Sequence, residues 1–247
     1  TEKQLRATNA VTRLNFEMNS RHAQINGINL SLSLPVLFQN GSVYISAADL
    51  QYSIHPILFP ETDPTNAPIK TICIDPGHGG RDPGNIEGRM QEKMYTLLLA
   101  AEVERLLKHA GFKVVTTRQR DNQYPGLEDR PNIANQYRSD LFISLHYNSA
   151  ANKNVEGVEV YCLAPAGTSS SNGETGKSIA PSYPGHARNE KNVLFAYLMQ
   201  RTLVKNLKVA DRGVKRSQFA VLLAPKCPAI LIEAGFMTNP NEADRKS

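Results

Sequence analysis

Three polar side chains that could bind a metal ion stand where apolar stretches of this sequence end. His78 follows a short apolar run and lies in a glycine-rich turn. His146 directly follows the apolar run 141–145, and Glu233 directly follows the run 229–232. The carboxyl ends of parallel strands in an α/β sheet line one edge, where ligands bind. If these runs are neighbouring parallel strands, the three side chains converge at that edge.

Glu92 adds a fourth side chain, because it lies in the first turn of the helix predicted after the His78 turn. Two histidines and one glutamate, with a fourth position for water, form a catalytic zinc arrangement. A further glutamate beside that water is the general base that such chemistry needs. The histidines and Glu92 also have ordinary explanations, as hydrogen-bonded histidines and as an acid favoured by the helix dipole, whereas the Glu233 carboxylate, next to an apolar strand, needs a partner or a role. With no H-E-x-x-H or C-x-x-C motif, the spacing alone leaves both explanations open.

The second part of the chain alternates between strand and helix patterns. Predicted strands cover 71–74, 112–117, 141–145, 155–163, 219–223 and 229–232, and predicted helices cover about 94–110, 131–138 and 193–207. This alternation predicts an α/β fold with a largely parallel sheet and helices on both faces. One side of the first helix is expected to face the core, and it carries Met94, Leu97, Leu98, Ala101, Arg105 through its stem, and Leu106.

Residues 1–66 predict a small α+β module that precedes the α/β domain. Their short alternating segments are joined by Asn26-Gly27 and Asn40-Gly41, which are hairpin turn signals. Three prolines between Pro60 and Pro68 predict a linker. We therefore divide the chain into residues 1–66, the module with its linker, and residues 67–247, the catalytic domain.

Composition excludes several classes of protein. With 40% hydrophobic and 21% charged residues among 247, the chain has a globular composition, and it has no apolar run near the about 20 residues that span a membrane. Three cysteines without a C-x-x-C motif exclude a disulfide scaffold and favour buried thiols. The net charge is +5, and residues 1–66 hold 4 Lys/Arg against 5 Asp/Glu, so the excess lies in the second part. The tightest basic run, 212–216, has three charges, which argues against a nucleic-acid partner.

Four motifs carry a resemblance to a known enzyme family. They are Ile74-Asp75-Pro76-Gly77-His78-Gly79-Gly80, Gln91-Glu92-Lys93, the stretch 141–148 that ends in His146-Tyr147-Asn148, and the stretch 232–240 that contains Glu233-Ala234-Gly235. Together with Thr116-Thr117-Arg118, Leu127 with Arg130, and 211–215, they resemble the zinc-dependent N-acetylmuramoyl-L-alanine amidases of bacterial cell-wall turnover, the amidase-3 type. The resemblance covers about residues 70–246.

The resemblance implies a role for each of the four side chains. His78, Glu92 and His146 would bind Zn²⁺, and Glu233 would be the catalytic carboxylate. The implied reaction hydrolyses the amide between N-acetylmuramic acid and the L-alanine of the stem peptide. It implies peptidoglycan as the substrate and an extracytoplasmic location, in the periplasm, in the cell wall or secreted. It leaves the oligomeric state unknown.

The sequence offers only candidates for the residues that would bind the substrate. Asn148, Arg130 and the loop 164–190 with His186 are candidates, although a role in orienting a loop is expected for each.

Some relatives of this type carry an inserted helix that plugs the zinc site. The corresponding stretch here, 164–190, is rich in Ser, Gly and Pro, so we expect an open site. The family's domain usually continues past Asn239-Pro240 with a closing helix, so we expect one sheet face to be less covered here.

The N-terminal module resembles the small extracytoplasmic repeats related to the copper amine oxidase N-terminal domain. The similar segments are 16–21, Asn26-Gly27 and 38–45. An unrelated small α+β spacer is the alternative.

Two further hypotheses compete with the amidase. A non-catalytic peptidoglycan-binding protein would keep the fold without turnover, but it would have no need for the complete set of ligands and base. A zinc hydrolase acting on another amide bond would use the same motifs.

The net positive charge of the catalytic part suits a weak, salt-sensitive attraction to the acidic cell wall.

Overall fold

The structure is a computed structural model that describes residues 4–60, 68–171 and 182–244. Its strands are β1 (Gln4–Thr8), β2 (Arg13–Glu17), β3 (Ser20–Ile25), β4 (Ile28–Gln39), β5 (Ser42–Tyr44), β6 (Thr71–Pro76), β7 (Ile86–Glu87), β8 (Met90–Gln91), β9 (Lys113–Thr116), β10 (Leu141–Asn148), β11 (Val158–Leu163), β12 (Asp211–Ser217) and β13 (Ala229–Phe236). Its helices are α1 (Ala47–Asp49), α2 (His55–Leu58), α3 (Glu92–His109), α4 (Asp129–Gln136), α5 (Asn189–Leu207), α6 (Ala220–Leu223) and α7 (Pro240–Asp244). A π-helical turn, Leu50–Ile54, joins α1 to α2, and a 3₁₀ turn, Pro184–Arg188, precedes α5.

One sheet joins most of the strands, in the order β1-β2-β3-β4-β12-β11-β13-β10-β6-β9, and β5 pairs with β4. Strands β13, β10, β6 and β9 run parallel to one another, and β11 runs parallel to β12. The two groups meet where β11 pairs antiparallel with β13. The carboxyl ends of β6, β10 and β13 therefore share one edge with the amino ends of β11 and β12. The prediction of a largely parallel sheet is confirmed.

Helices cover both faces of this sheet, as predicted. Successive side chains of a strand point to opposite faces. Ile143 and Leu145 of β10 belong to a core cluster with residues of α3 and α5, whereas Phe142 packs in a second cluster with residues of α4 and α6. No helix in the described ranges is long and apolar enough to cross a membrane.

The face that α3 turns to the sheet differs from the prediction. Its fully buried residues include Thr96 and Ala100, and Leu99, Val103 and Leu107 pack partly buried against the core. The expected core residues Met94, Leu98 and Leu106 are exposed instead. The helix is apolar on more than one side, so the sequence pattern alone does not identify the face that is buried. The buried face is the one whose small residues let the helix approach the sheet closely.

A second difference concerns the predicted strand at 219–223. Residues Ala220–Leu223 form the short helix α6, in which Val221 and Leu222 are buried. Periodicity does not distinguish a short apolar strand from a buried helical turn, because both bury every residue. This turn packs under the face of the sheet that carries the site described below.

The N-terminal strands extend the sheet of the α/β domain. Leu30 of β4 pairs with Val214 of β12, and the Tyr197 hydroxyl of α5 donates to the Ile25 carbonyl at 3.1 Å. Buried Arg216 donates to the Tyr52 carbonyl. The predicted linker falls largely on residues 61–67, outside the described ranges, so the domain boundary there stays a prediction.

The three cysteines are buried free thiols, as predicted. Cys73, Cys162 and Cys227 have no disulfide partner within the described chain. Burial raises the pKa of the Cys227 thiol to about 11. The thiol group therefore stays protonated at neutral pH and behaves as a small apolar side chain.

Candidate active site

Three of the predicted site residues meet at the carboxyl edge of the sheet. Nε2 of His78 lies 3.1 Å from Oε2 of Glu92, and Nδ1 of His146 lies 3.0 Å from Oε1 of the same carboxylate. One potential ligand atom from each residue falls within 4.8 Å of the others, so the group could hold a metal ion. The side chains of His78 and His146 are 23% and 18% exposed, which leaves them open to solvent.

A tight loop after β6 presents His78. Its backbone is left-handed, with φ of 62°. A Cβ on Gly77 would lie 2.3 Å from Cε1 of His146, and a Cβ on Gly84 would lie 2.6 Å from Oε2 of Glu92. These two positions therefore require glycine, because any side chain there would occupy the space of the site.

Asp82 orients the His78 ring. Its Oδ2 lies 2.9 Å from Nδ1 of His78. A carboxylate at that nitrogen favours a proton on Nδ1, so that Nε2 would be free to bind a metal ion in place of its present contact with Glu92. The Asp82 carboxylate is held in turn by the Gly84 amide, which donates to Oδ1 at 3.0 Å.

Two buried arginines support the same loop from below. Arg130 forms an ion pair with Asp75 at 2.8 Å and donates to the Pro76 and His78 carbonyls at 3.0 and 2.8 Å. Arg118 donates to the Pro76 and Gly77 carbonyls at 3.0 and 2.9 Å. These contacts give Arg130 a loop-orienting position, in line with the expectation for it.

Glu92 begins α3 and is almost fully buried. Its carboxylate accepts hydrogen bonds from the amides of Asn85 and Tyr147 at 2.9 and 3.0 Å, in addition to its histidine contacts. Burial alone would raise the pKa of Glu92, but hydrogen bonds from His146 and His78 outweigh it and hold the pKa well below its usual range. The carboxylate is therefore an anion at neutral pH, which is the form that binds a metal ion.

Glu233 lies in β13 beside His146, its register partner in β10. Its Oε2 is buried and has no hydrogen-bond partner among the described residues. Burial, together with the charges of Glu92 and Glu159, raises the pKa of Glu233 to about 8. A carboxyl group with such a pKa next to a possible metal site is typical of a general acid or base.

Glu159 is a neighbour of the site that the sequence did not indicate. It lies in β11, opposite Glu233, and its Oε2 contacts Arg212 Nε at 3.0 Å and Lys215 Nζ at 2.5 Å. Its Oε1 accepts a hydrogen bond from the side-chain amide of Asn148 at 2.8 Å, so Asn148 helps to hold this carboxylate. The motif 211–215 was a signal in the sequence, but nothing there linked it to Glu159.

His186, the remaining candidate, lies apart from these residues. Its Nδ1 accepts from the Tyr183 amide at 2.8 Å, and its Nε2 lies 3.1 Å from the Ala164 carbonyl. It therefore ties together the two ends of the stretch 164–190. The middle of that stretch, 172–181, lies outside the described residues, so the open site stays a prediction.

Comparison with known proteins decides the family. The model of the N-acetylmuramoyl-L-alanine amidases of the amidase-3 type matches residues 72–246. The chain belongs to this amidase family. The prediction of an enzyme of this class is confirmed, and the match contains the four predicted site residues, whose individual roles stay predictions.

Individual amidases agree with this assignment. N-acetylmuramoyl-L-alanine amidase AmiA of Escherichia coli (strain K12) is 31% identical over 197 residues, which cover 70% of this chain and 68% of that protein. The crystal structure of an N-acetylmuramoyl-L-alanine amidase from Clostridium difficile 630 shares 32% identity with a TM-score of 0.57, over 73% of this chain and 87% of that one. The catalytic domain of CwlV, an amidase from Bacillus (Paenibacillus) polymyxa var. colistinus, has a TM-score of 0.58 at 26% identity, over 72% and 87% of the two chains. The family match does not extend to residues 1–66, so the copper amine oxidase resemblance stays a prediction.

Proposed function

We propose that this amidase is zinc-dependent and hydrolyses the bond between N-acetylmuramic acid and L-alanine in peptidoglycan, in cell-wall turnover or daughter-cell separation. The observation that carries the proposal is the group His78, Glu92 and His146 beside the unpartnered oxygen of Glu233. We further propose an extracytoplasmic location, since relatives such as the probable cell wall amidase LytH of Staphylococcus saprophyticus are named for the wall.

The donor set fits Zn²⁺. Two imidazoles and one carboxylate are the ligand types of catalytic zinc sites, which keep a fourth position for water. The two histidine nitrogens already face the two oxygens of Glu92, at 3.1 and 3.0 Å. When bound, zinc lowers the pKa of a water molecule and polarises the substrate carbonyl.

Glu233 is the residue that we propose moves the proton. Its free Oε2 would accept a proton from the attacking water and return it to the departing nitrogen of L-alanine. The raised pKa supports the second half of this cycle, because a carboxyl group with a pKa of about 8 holds its proton at neutral pH. A cation nearby would lower that pKa and favour the first half.

The surrounding residues would keep the ligands in position. Asp82 would hold the His78 ring through Nδ1, and the amides of Asn85 and Tyr147 would hold the Glu92 carboxylate. Such supporting contacts keep ligand geometry before and during the reaction. The non-catalytic alternative gives no reason for a buried, unpartnered carboxyl oxygen at Glu233.

Product analysis on purified peptidoglycan tests the proposal. The amidase should release stem peptides with a new free amino group on L-alanine and create no new reducing sugar. A chelator should stop the release, and added zinc should restore it. New amino groups on other residues would contradict the proposed bond, and wall binding without any release would favour the non-catalytic protein.

A further inference from the structure

We propose that Lys215 and Arg212 bind a carboxylate of the stem peptide next to the cleaved bond. This inference rests on the proposed function and adds a substrate feature to it. The two cations belong to β12, which lies beyond Glu233 on the far side of the antiparallel strand β11; Arg212 is near the start of β12 and Lys215 is three residues further along.

Glu159 holds both cations on the site's face of the sheet. It lies directly opposite Glu233 in the pairing of β11 with β13. Its Oε2 contacts both Lys215 Nζ and Arg212 Nε. An irregularity in the pairing of β11 with β12, between Val158 and Val160, lies opposite the stretch that carries Arg212. Both long side chains therefore reach back from β12 over β11 towards Glu233.

The charges in this cluster do not balance. One carboxylate faces two cations, and its other oxygen accepts from Asn148 and from the Tyr161 hydroxyl, each at 2.8 Å. Glu159 is 2% exposed, whereas the side chains of Lys215 and Arg212 are 15% and 34% exposed. The buried anion thus lies beneath two cations that reach solvent, and among these hydrogen-bonded groups one carboxylate is shared by two positive charges.

Arg212 also keeps hydrogen-bonding capacity towards solvent. Arg212 uses Nε for Glu159, and its Nη1 and Nη2 make no hydrogen bond within the described parts of the chain. A guanidinium with two free donor nitrogens matches the geometry of a carboxylate. Neutralising Glu159 would require only one cation, so the second is available for a ligand.

Aromatic rings hold both cations in place before a ligand arrives. The Arg212 guanidinium lies 4.9 Å from the centre of the Phe236 ring, and Lys215 Nζ lies 5.7 Å from the centre of the Tyr161 ring. Cations over aromatic rings are attracted to them. Side chains that are already ordered lose less conformational entropy when they bind a ligand.

The distance suits a group one or two residues along the peptide. Adjacent strands lie about 4.8 Å apart, so cations above β11 are about 10 Å from the strand that carries His146. Consecutive Cα atoms are about 3.8 Å apart. A carboxylate on the residue that follows L-alanine would therefore reach the pair while the scissile amide lies near His146 and Glu233.

Two synthetic substrates test the inference on the unmodified enzyme. They are muramoyl-peptides that differ only at the residue after L-alanine, which carries either a free carboxylate or the corresponding carboxamide. A charge-assisted hydrogen bond predicts that kcat/KM is about 10- to 100-fold higher for the carboxylate, mainly through KM. Lys215→Met and Arg212→Gln should each reduce that preference, and Lys205→Met, on the exposed surface of α5, should retain it.

Each outcome is decisive. Equal kcat/KM for the two substrates in the unmodified enzyme would overturn the inference and leave the amidase proposal intact. Cleavage of neither substrate would overturn the proposed function. Variants at Lys215 and Arg212 that lose activity on both substrates equally, with the preference unchanged, would show that the pair only supports Glu159 and would also overturn the inference.

Discussion

Glu159 lies directly opposite Glu233 in the antiparallel pairing of β11 with β13, which places two carboxyl groups side by side on one face of the sheet. Burial raises the pKa of Glu159, but Lys215, Tyr161 and Arg212 outweigh it, so that pKa is lowered. Burial and the charge of Glu159 contribute to the opposite shift at Glu233, whose pKa rises to about 8. Separated pKa values suit two different roles, and we propose that Glu159 stays a fixed anion while Glu233 carries the proton.

The raised pKa of Glu233 predicts how stability changes with pH in the metal-free protein. Folding favours the protonated form, so the stabilisation is complete below the unfolded pKa near 4.5 and is lost as pH rises through about 8. Glu233→Gln cannot ionise and avoids this loss. With a chelator present, the free energy of unfolding is measured in urea for both proteins. Relative to the wild type, that of the variant should rise by up to about 4 kcal/mol between pH 5 and pH 9. Parallel stability curves for the two proteins would contradict the raised pKa.

Gly77→Ala tests the space that the site requires. The new Cβ would lie 2.3 Å from Cε1 of His146, so the ring or the loop must move. A displacement of about 1 Å at a reacting group costs about 100-fold in rate, and the variant should lose activity and zinc together. Gly88→Ala is the control for backbone strain without a clash: Gly88 has open space around it but a left-handed backbone, with φ of 59°, so this variant should lose some stability and keep its zinc and activity. Normal zinc content in Gly77→Ala would show that the loop adapts.

Asp82→Asn tests the support of His78. The carboxylate at Nδ1 fixes the ring and its tautomer, and loss of such a partner lowers metal affinity about 10- to 100-fold. Competition with a chromophoric chelator measures the zinc affinity of the folded variant. Asp121→Asn, which changes an exposed partner of Lys93, serves as the control. Equal zinc affinities in the two variants would show that Asp82 does not support zinc binding.

Arg130→Met tests the ion pair beneath the His78 loop. The substitution removes the ion-pair partner of the buried Asp75 carboxylate, which costs about 3–5 kcal/mol in comparable buried pairs. Urea denaturation should show this loss, whereas Arg120→Met, at an exposed position, should change stability by less than about 0.5 kcal/mol. A small effect of Arg130→Met would mean that water replaces the guanidinium.

The ligand candidates could be predicted because each belongs to an apolar strand or to the helix that follows one. His78 follows β6, and His146 and Glu233 lie in β10 and β13; these three strands are parallel neighbours. Parallel order brings their carboxyl ends to the same edge, so the convergence follows from local patterns and a general rule about sheets.

Glu159 could not be predicted in the same way. It lies at the amino end of β11, and it reaches the site because β11 runs antiparallel to β13. Strand direction is set by packing between distant segments, and the alternating pattern of a strand is identical in both directions. The core face of α3 was missed for a related reason, since the sheet contact selects Thr96 and Ala100 over larger apolar residues.

Glu233→Gln removes the proposed proton carrier and leaves the three proposed metal ligands in place. Zinc content and release of stem peptide from purified peptidoglycan are measured for the wild type, Glu233→Gln and the exposed control Glu102→Gln. We expect equal zinc content in all three proteins and a loss of product release of about 100- to 10,000-fold in Glu233→Gln alone. Product release unchanged by Glu233→Gln, with zinc retained, would contradict the proton-carrying role.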